Sequence, residues 1–419
     1  MIGLMARSTA GHFESQQVVL HGPSHLQPVA KAPAAPNGSQ RFVARLPHTL
    51  PATGRRMGMT ITHVLGEGCA SLMLASRANE LNDHRLSVVR PDAAPEPKDH
   101  MLGFWGTPDM AFAAQHARHA WPNWSVITET AHATMTSEDH PYHAMHKLTY
   151  LEQAKATARQ HGVDFLLEQE HVAAQPDAVF DTRPPRAPAG AMLQHFAGLE
   201  VEVDRPVFDP TTAVLMDFRV DQSHGMHFMY VLPFSPTRAL LESTMFSTQI
   251  MPPEHYTEAI ETYLFNHHNA TILTVIGEEQ GVIPMGALSL HDPSIPGLGA
   301  NGGAIRPASG YTFAFIHRQI QQAIQRVNQG KPLTFTRPHK RVDVWMDSVL
   351  LAVLRHWPHQ GPVLFGRMAQ SLTGEEFIRF MSGRAGWGLR FKVMRAMPKL
   401  PFIRGVSKLM FGRPNRVVS

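Results

Sequence analysis

Cysteine is nearly absent from this chain: among 419 residues there is one, Cys69. A lone thiol excludes an internal disulfide and a cysteine-based zinc site, and makes a reducing compartment the default. Long apolar runs are missing too. No stretch approaches the roughly 20 apolar residues of a membrane span, and the opening MIGLMARS has no signal-peptide core, so any bilayer contact is expected to be peripheral. Acids are the third shortage, and a local one. After Glu376 there are ten Lys or Arg residues and no Asp or Glu, so residues 1–376 set 28 cations against 34 acids and the net charge of +4 is a property of the tail. The 26 histidines are scattered, HPYHAMH and NHHN being densest, and no carboxylate-supported set has a metal-ligand spacing; no metal is expected.

What is present is enough for a large core, with 43% hydrophobic and 17% charged residues. Residues 1–56, rich in Ala, Pro, Gly, Ser and His, show no sustained period and read as a disordered extension. Order begins at ITHVL, a strand pattern. A glycine turn follows, then ASLMLASRANEL, where Leu74, Ala75, Ala78 and Leu81 share a helical face, then the strand-like LSVV. The turn, Gly66-Glu67-Gly68-Cys69-Ala70-Ser71, has the form of a dinucleotide fingerprint. Its first glycine permits the sharp bend, its second lets a pyrophosphate approach the backbone, and Ser71 is small enough for the third place. The acid that should hold the ribose is displaced: Arg90 and Pro91 stand there, and Asp92 comes slightly late.

Later segments alternate: GLEVEV, AVLMDFRV, HFMYVLPF and RALLESTMF predict a substantial sheet, and from Thr312 onward the period becomes helical. The basic tail satisfies nucleic acid and anionic membrane equally by charge. Its interleaved Trp387, Leu389, Phe391, Met394, Leu400, Phe402, Leu409 and Phe411 favour a membrane surface over nucleic acid, with Pro398 and Pro401 dividing it into two short helices.

QHFAGLEVEVDRPVFDPTTAVLMDFRVDQ, then FMYVLPFSPTRALLESTMFS, resembles the central region of the lycopene cyclases of bacteria and plants in order and spacing. The likeness continues through GEEQGVIPMG (277–286) and GANGGAIRPASGYTFAFI (299–316), and upstream FDTRP (180–184) falls where that family has an Asp-x-Arg-Gly segment. The resemblance implies an α/β fold of the flavoprotein-monooxygenase type. Residues 57–190 and 281–330 would form a Rossmann-like FAD-binding domain, 191–280 an inserted, mainly antiparallel β substrate region, and 331–419 a helical, basic, membrane-contacting region. It further implies FAD kept reduced by NAD(P)H, a carotenoid substrate such as lycopene, and a cytoplasmic enzyme resting on the membrane. The reaction would be an isomerisation in which an acid protonates the terminal double bond, the next double bond attacks the cation, and a ring proton leaves.

An alkene is a very poor base, so its acid must be kept protonated in a dry, apolar site, beside something that steadies a cation. Glu242, within RALLESTMFS, matches the first acid of the family's acidic motif. Ser243 replaces the acid that commonly follows, so no shared-proton pair is expected at that point, and an ion pair with Arg238 is the competing role for Glu242. Asp217 and Arg219 match another motif and alternate onto one strand face, either as catalytic groups or as a structural ion pair. Of the adjacent Glu278 and Glu279 one is expected to act, strand direction deciding which. For the cofactor the resemblance implies Gly66, Gly68, Ser71, Asp92, Asp181, Arg183, Gly299, Gly302, Gly303, Pro307, Gly310 and Tyr311, although Pro184 stands where the family has glycine. Phe104, Trp105, Trp121, Trp124 and Tyr142 are candidates for a long apolar tunnel or for plain core. Two other functions stay open: a flavin oxidoreductase or hydroxylase of the same fold acting on another lipid, and a lipid-binding protein without catalysis.

Overall fold

The computed structural model describes residues 59–411, and the extension expected over residues 1–56 lies outside them. β1 (Thr60–Leu65) leads through the glycine turn into helix Cys69–Ala75 and back into β2 (His84–Arg90). The two strands pair in parallel, Val64 opposite Val88, with their inner residues buried as a sheet covered on both faces requires. Next come β3 (Met101–Trp105), β4 (His119–Trp121), β5 (Asn123–Thr128), β6 (Ala131–Thr136) and β7 (Tyr142–His146). After helix Lys147–Gln160, β8 (Asp164–Leu167) and β9 (Ala178–Asp181) complete a parallel sheet of order β8-β2-β1-β9. Leu65, Arg90 and Asp181 thus end their strands at one edge, the C-terminal edge where open parallel sheets bind ligands.

The remaining strands are β10 (Leu193–Val203), β11 (Thr212–Asp217), β12 (Met226–Pro233), β13 (Arg238–Ser247) and, after helix Pro253–His268, β14 (Ile272–Pro284). With β5 and β6 they build a seven-stranded sheet ordered β14-β10-β13-β12-β11-β5-β6, antiparallel except between β11 and β5. This sheet crosses the boundaries expected at residues 190 and 280, since β5 and β6 precede the first and β14 runs past the second. A small antiparallel sheet, β3-β7-β4, stands beside it.

Strand alternation gives the large sheet two faces. Val201, Met229, Val231 and Leu241 meet helix Pro253–His268, which buries Tyr256, Ile260, Tyr263 and Leu264 at three- and four-residue spacing. Phe228, Leu232, Leu240 and Phe246 belong to the opposite core, shared with the small sheet and the C-terminal helices. Those helices are Arg341–His356, Gly361–Ser371, Gly374–Met381, Trp387–Ala396 and Lys399–Phe411. Two buried ion pairs fasten them: Arg306 to Asp347 at 3.2 Å, and Arg390 to both oxygens of Asp343 at 2.8 and 3.0 Å. Arg390 therefore takes one of the tail's cations inside. Pro398 separates the last two helices, whereas Pro401 lies in the first turn of the second, where a missing N–H breaks no helical bond.

Candidate active site

At the C-terminal edge of the parallel sheet three separated segments converge. Gly66 closes β1 with φ +103°, and a Cβ there would fall 2.4 Å from Thr182 Oγ1, so only glycine fits between the strand end and its neighbour. Gly68 precedes the helix with nothing within 4 Å of its would-be Cβ, which leaves the backbone open to a ligand. Ser71, fully buried, donates to the Gly68 carbonyl at 3.0 Å and so stiffens the turn. Gly299, at φ +68°, packs so closely on Ala70 that a Cβ would lie 2.3 Å away, and its N–H donates to Gln319 Oε1 at 2.8 Å. Gly302 approaches the Gly297 carbonyl and Gly303 turns left-handed at φ +79°. Pro307 accepts from the Gly286 N–H at 3.2 Å, and Gly310 and Tyr311 continue the loop into the cavity described below.

Two expected cofactor residues are placed differently from the expectation. Asp181 is fully buried, and its carboxylate is occupied by Arg183, through the backbone N–H and Nε at 2.9 Å each and Nη2 at 3.0 Å. Its backbone carbonyl carries the loop, receiving Leu298 N–H at 2.9 Å and Asn301 Nδ2 at 3.1 Å. Asp92 is exposed beyond the end of β2, and its N–H donates to Glu168 Oε2 at 2.8 Å. Arg90, standing where the ribose acid was expected, is paired with Glu96 at 2.6 Å.

The acids meet on the other sheet. β10 lies between β13 and β14, and Gly198 is in register with Glu242 on one side and Glu279 on the other. Backbones two strands apart are about 10 Å apart. The carboxylates close that gap by leaning over the bare glycine: a Cβ on Gly198 would lie 2.8 Å from Glu242 Cγ and 3.1 Å from Glu279 Cγ. Glu242 is 8% exposed. Arg238, the ion-pair partner in the competing role for Glu242, is instead bonded to Glu200 at 2.6 Å, alongside Arg118. Glu279 Oε2 accepts from the Met101 N–H at 2.8 Å, while its Oε1 is buried without a donor. The donor that remains is a proton on Glu242. Burial first, then the neighbouring Glu279, pushes Glu242 well above the usual carboxylate range, and burial raises Glu279 as well. The two acids thus lie side by side, each shifted toward its protonated form.

This pair is not the one excluded at Ser243. Ser243 does follow Glu242, but alternation turns it to the opposite face, where its hydroxyl bonds His227 Nε2 at 2.8 Å. An acid at that position would face away from Glu242; the second acid comes from another strand. Between Glu278 and Glu279, register decides for Glu279, and Glu278 is exposed opposite Leu199. Asp217 and Arg219 are not brought to this site. They form a bidentate pair at 2.9 and 2.6 Å beneath helix Pro253–His268, where Tyr263 also donates to Asp217 at 2.8 Å.

Glu242 opens on a cavity of about 330 Å³ with mainly apolar walls: Phe228, Phe246, Phe365, Met368 and Phe377 among them. Trp105 and Tyr142 line it, while Phe104, Trp121 and Trp124 are fully buried core. Tyr142 and Tyr230 point their hydroxyls at each other, 3.1 Å apart, in the same wall. The loop Gly310-Tyr311-Thr312 forms the far wall, so the acid and the end of the glycine-rich segment share one chamber.

The family model described as lycopene cyclase protein matches residues 62–405. The chain belongs to the lycopene cyclase family. It is similar to the lycopene beta-cyclase of Pantoea ananas, 24% identical over 83% of this chain and 97% of that protein. With the lycopene beta-cyclase of a Paracoccus species it shares 30% identity over 29% of this chain, a match covering 33% of that relative. A match at 31% identity to the neoxanthin synthase of Solanum tuberosum covers 30% of this chain and 27% of that protein. Among solved structures, a geranylgeranyl bacteriochlorophyll reductase-like protein from Thermoplasma acidophilum superposes with TM-score 0.53 at 11% identity, covering 84% of this chain and 99% of that one. A flavoprotein/dehydrogenase from Cytophaga hutchinsonii gives 0.51 at 12% identity, covering 85% and 100%. These likenesses show the fold, α/β with a parallel sheet, a mixed sheet and a helical C-terminus. Around the paired acids, Gly198 and Met101 are not singled out by the sequence. Gly198 had a signal, since a glycine inside a strand of Leu, Val and Glu marks a close approach; Met101 had none, because it acts through its backbone.

Proposed function

We propose that the protein cyclises the ends of a linear carotenoid, as an isomerase, with Glu242 as the proton donor and Glu279 as its partner. The observation that carries this is the carboxyl pair over Gly198, with no Lys or Arg bonded to either acid among the described residues and with Glu242 facing an apolar cavity. Such a pair, buried away from solvent, favours a protonated acid, which is what adding a proton to an alkene demands. The donor gives one proton to the terminal double bond, the next double bond attacks the cation, and the pair takes one proton back from the ring. The tyrosine faces and the electron-rich walls steady the cation meanwhile.

Gly66, Gly68, Gly299, Gly302 and Gly303 would hold FAD: Gly66 and Gly299 allow close backbone packing on Thr182 and Ala70 at the strand end, Gly302 and Gly303 allow the tight loop beside them, and Gly68, with nothing within 4 Å of its would-be Cβ, leaves backbone open to the pyrophosphate. Reduced FAD, when bound, supplies a fixed negative charge beside the cation, NAD(P)H being the reductant. No helix among the described residues is long and apolar enough to cross a membrane. Docking is assigned to the last two helices, where Trp387, Phe391 and Met394 form one exposed stripe and Leu400, Ile403 and Met410 another. Arg395, Lys399, Arg404 and Lys408 on these helices have no carboxylate partner among the described residues, as binding to an anionic inner membrane face requires.

The test is expression in cells that accumulate lycopene, with chromatography of the pigments. Cyclic carotene is expected. Pigment that stays linear with flavin-loaded protein present would sink the proposal, and a product heavier by one oxygen would select a hydroxylase instead. Flotation with phosphatidylglycerol vesicles tests the docking face: Trp387→Ser with Phe391→Ser should leave most protein unbound.

A further inference from the structure

Glu279 has charged neighbours on the side away from Glu242 that the cyclisation chemistry leaves unused. The Met101 N–H that holds its Oε2 belongs to β3, and Met101 is in register with His146 of β7. Two residues before Met101, Asp99 accepts from His146 Nδ1 at 2.9 Å and from the Leu148 N–H at 3.0 Å. Asp99 and His146 both act electrostatically on Glu279, the carboxylate raising it and the imidazole lowering it. Both reach solvent, with side chains 39% and 38% exposed. Arg118 Nη1 lies 3.4 Å from His146 Nε2, and because a guanidinium cannot accept, Nε2 is the ring's accepting nitrogen. The buried Glu242, the mostly buried Glu279 held by the Met101 N–H, and the partly exposed His–Asp pair beside Met101 thus lie in succession between the cavity and solvent-exposed side chains.

We propose that Glu279 and the Asp99–His146 pair form a proton-exchange path between Glu242 and solvent. The proposal rests on the cyclase reading of the site. Per ring, Glu242 gives one proton to the alkene and the pair receives one from the ring. The pair thus ends a turnover in its starting state, but holding a proton that came from substrate. The path trades that proton for a solvent one before the next turnover. Imidazole suits the task, since it accepts on one nitrogen while donating from the other.

The experiment runs many turnovers of the full-length, reduced protein in D2O, on lycopene carried in phosphatidylcholine–phosphatidylglycerol vesicles, and counts deuterium per ring by mass spectrometry. The unaltered protein should place about one deuterium in each ring, the number that a general acid re-equilibrated with solvent delivers. His146→Phe should fall well below that while still forming rings, and Asp99→Asn should do the same if the first variant folds poorly. A merely structural role would slow ring formation without changing isotope content. Full labelling in both variants, at whatever rate, overturns the path, and so does unlabelled product from the unaltered protein. Absence of any ring from the unaltered protein overturns the cyclase reading, and the path with it.

Discussion

The two faces of the seven-stranded sheet treat a buried acid in opposite ways. Beneath helix Pro253–His268, Asp217 is wholly buried and its oxygens are taken by the Arg219 guanidinium and the Tyr263 hydroxyl. On the cavity face Glu242 is nearly as buried, yet its partner is a second carboxyl. Burial alone therefore does not decide what a carboxylate does. The partner decides: a cation fixes the charge for structure, and a like charge forces a proton to stay for chemistry. One residue of strand separates the two outcomes, since Glu242 and Ser243 face opposite sides.

The comparison breaks most severely at Glu242. In Glu242→Gln, kcat should fall by about 10³-fold, within the range of losing a general acid, while flavin absorbance is retained. Stability should move the other way. Glu242 has a folded pKa raised above the ordinary 4.5, so the folded state binds the extra proton, and stability is lost as pH rises above 4.5. Denaturant titrations of the glutamine variant should show a flatter decline over that window. An unchanged slope would mean that Glu242 is ionised.

Gly198→Ala tests the contact rather than the acid. Its Cβ would press on both Glu Cγ atoms, and the expected result is a loss of about 1–3 kcal/mol in stability from overpacking, with kcat reduced roughly tenfold or more. Full activity in a folded variant would show that the pair need not touch. On the other face, Asp217→Asn should cost about 2 kcal/mol in urea titrations, less than a fully buried pair because Arg219 is 30% exposed. In that variant kcat should stay within about twofold, since Asp217 lies with Arg219 and Tyr263 and does not line the cavity. A large fall in kcat without unfolding would return Asp217 to the catalytic set.

The legible parts of this protein are those that one segment specifies by itself. β1, its turn, its helix and β2 follow from a period of two giving way to a period near four, and Glu242 stood out within a strand of Leu and Met. Helix Pro253–His268 has a weak signal, because only Tyr256, Ile260, Tyr263 and Leu264 of its 16 residues are buried and most of the rest are Glu, His, Thr and Asn. The partnership with Glu279 was not legible either. It depends on β10 lying between β13 and β14 in one register, and a shift of one residue would have presented Glu278 instead. Ser243 looked like a missing acid when read along the chain; only the pleat shows that an acid there could not have met Glu242.

Ser243→Ala gives the smallest effect and the finest division between the faces. The Asp221 carbonyl, 2.9 Å from His227 Nδ1, can only accept, so Nδ1 carries the ring hydrogen and Nε2 accepts from the Ser243 hydroxyl. Burial holds His227 down to about 4, which keeps it neutral in this arrangement at physiological pH. Removing the hydroxyl leaves one buried acceptor without its donor, a cost of about 1 kcal/mol in urea titrations. Ring formation should be unchanged although the substitution adjoins the acid, because the altered atoms lie across the sheet from the cavity. If Ser243→Ala instead lost activity as Gly198→Ala is expected to, the faces would be coupled, and the separation of structural from chemical acids by strand alternation would not hold.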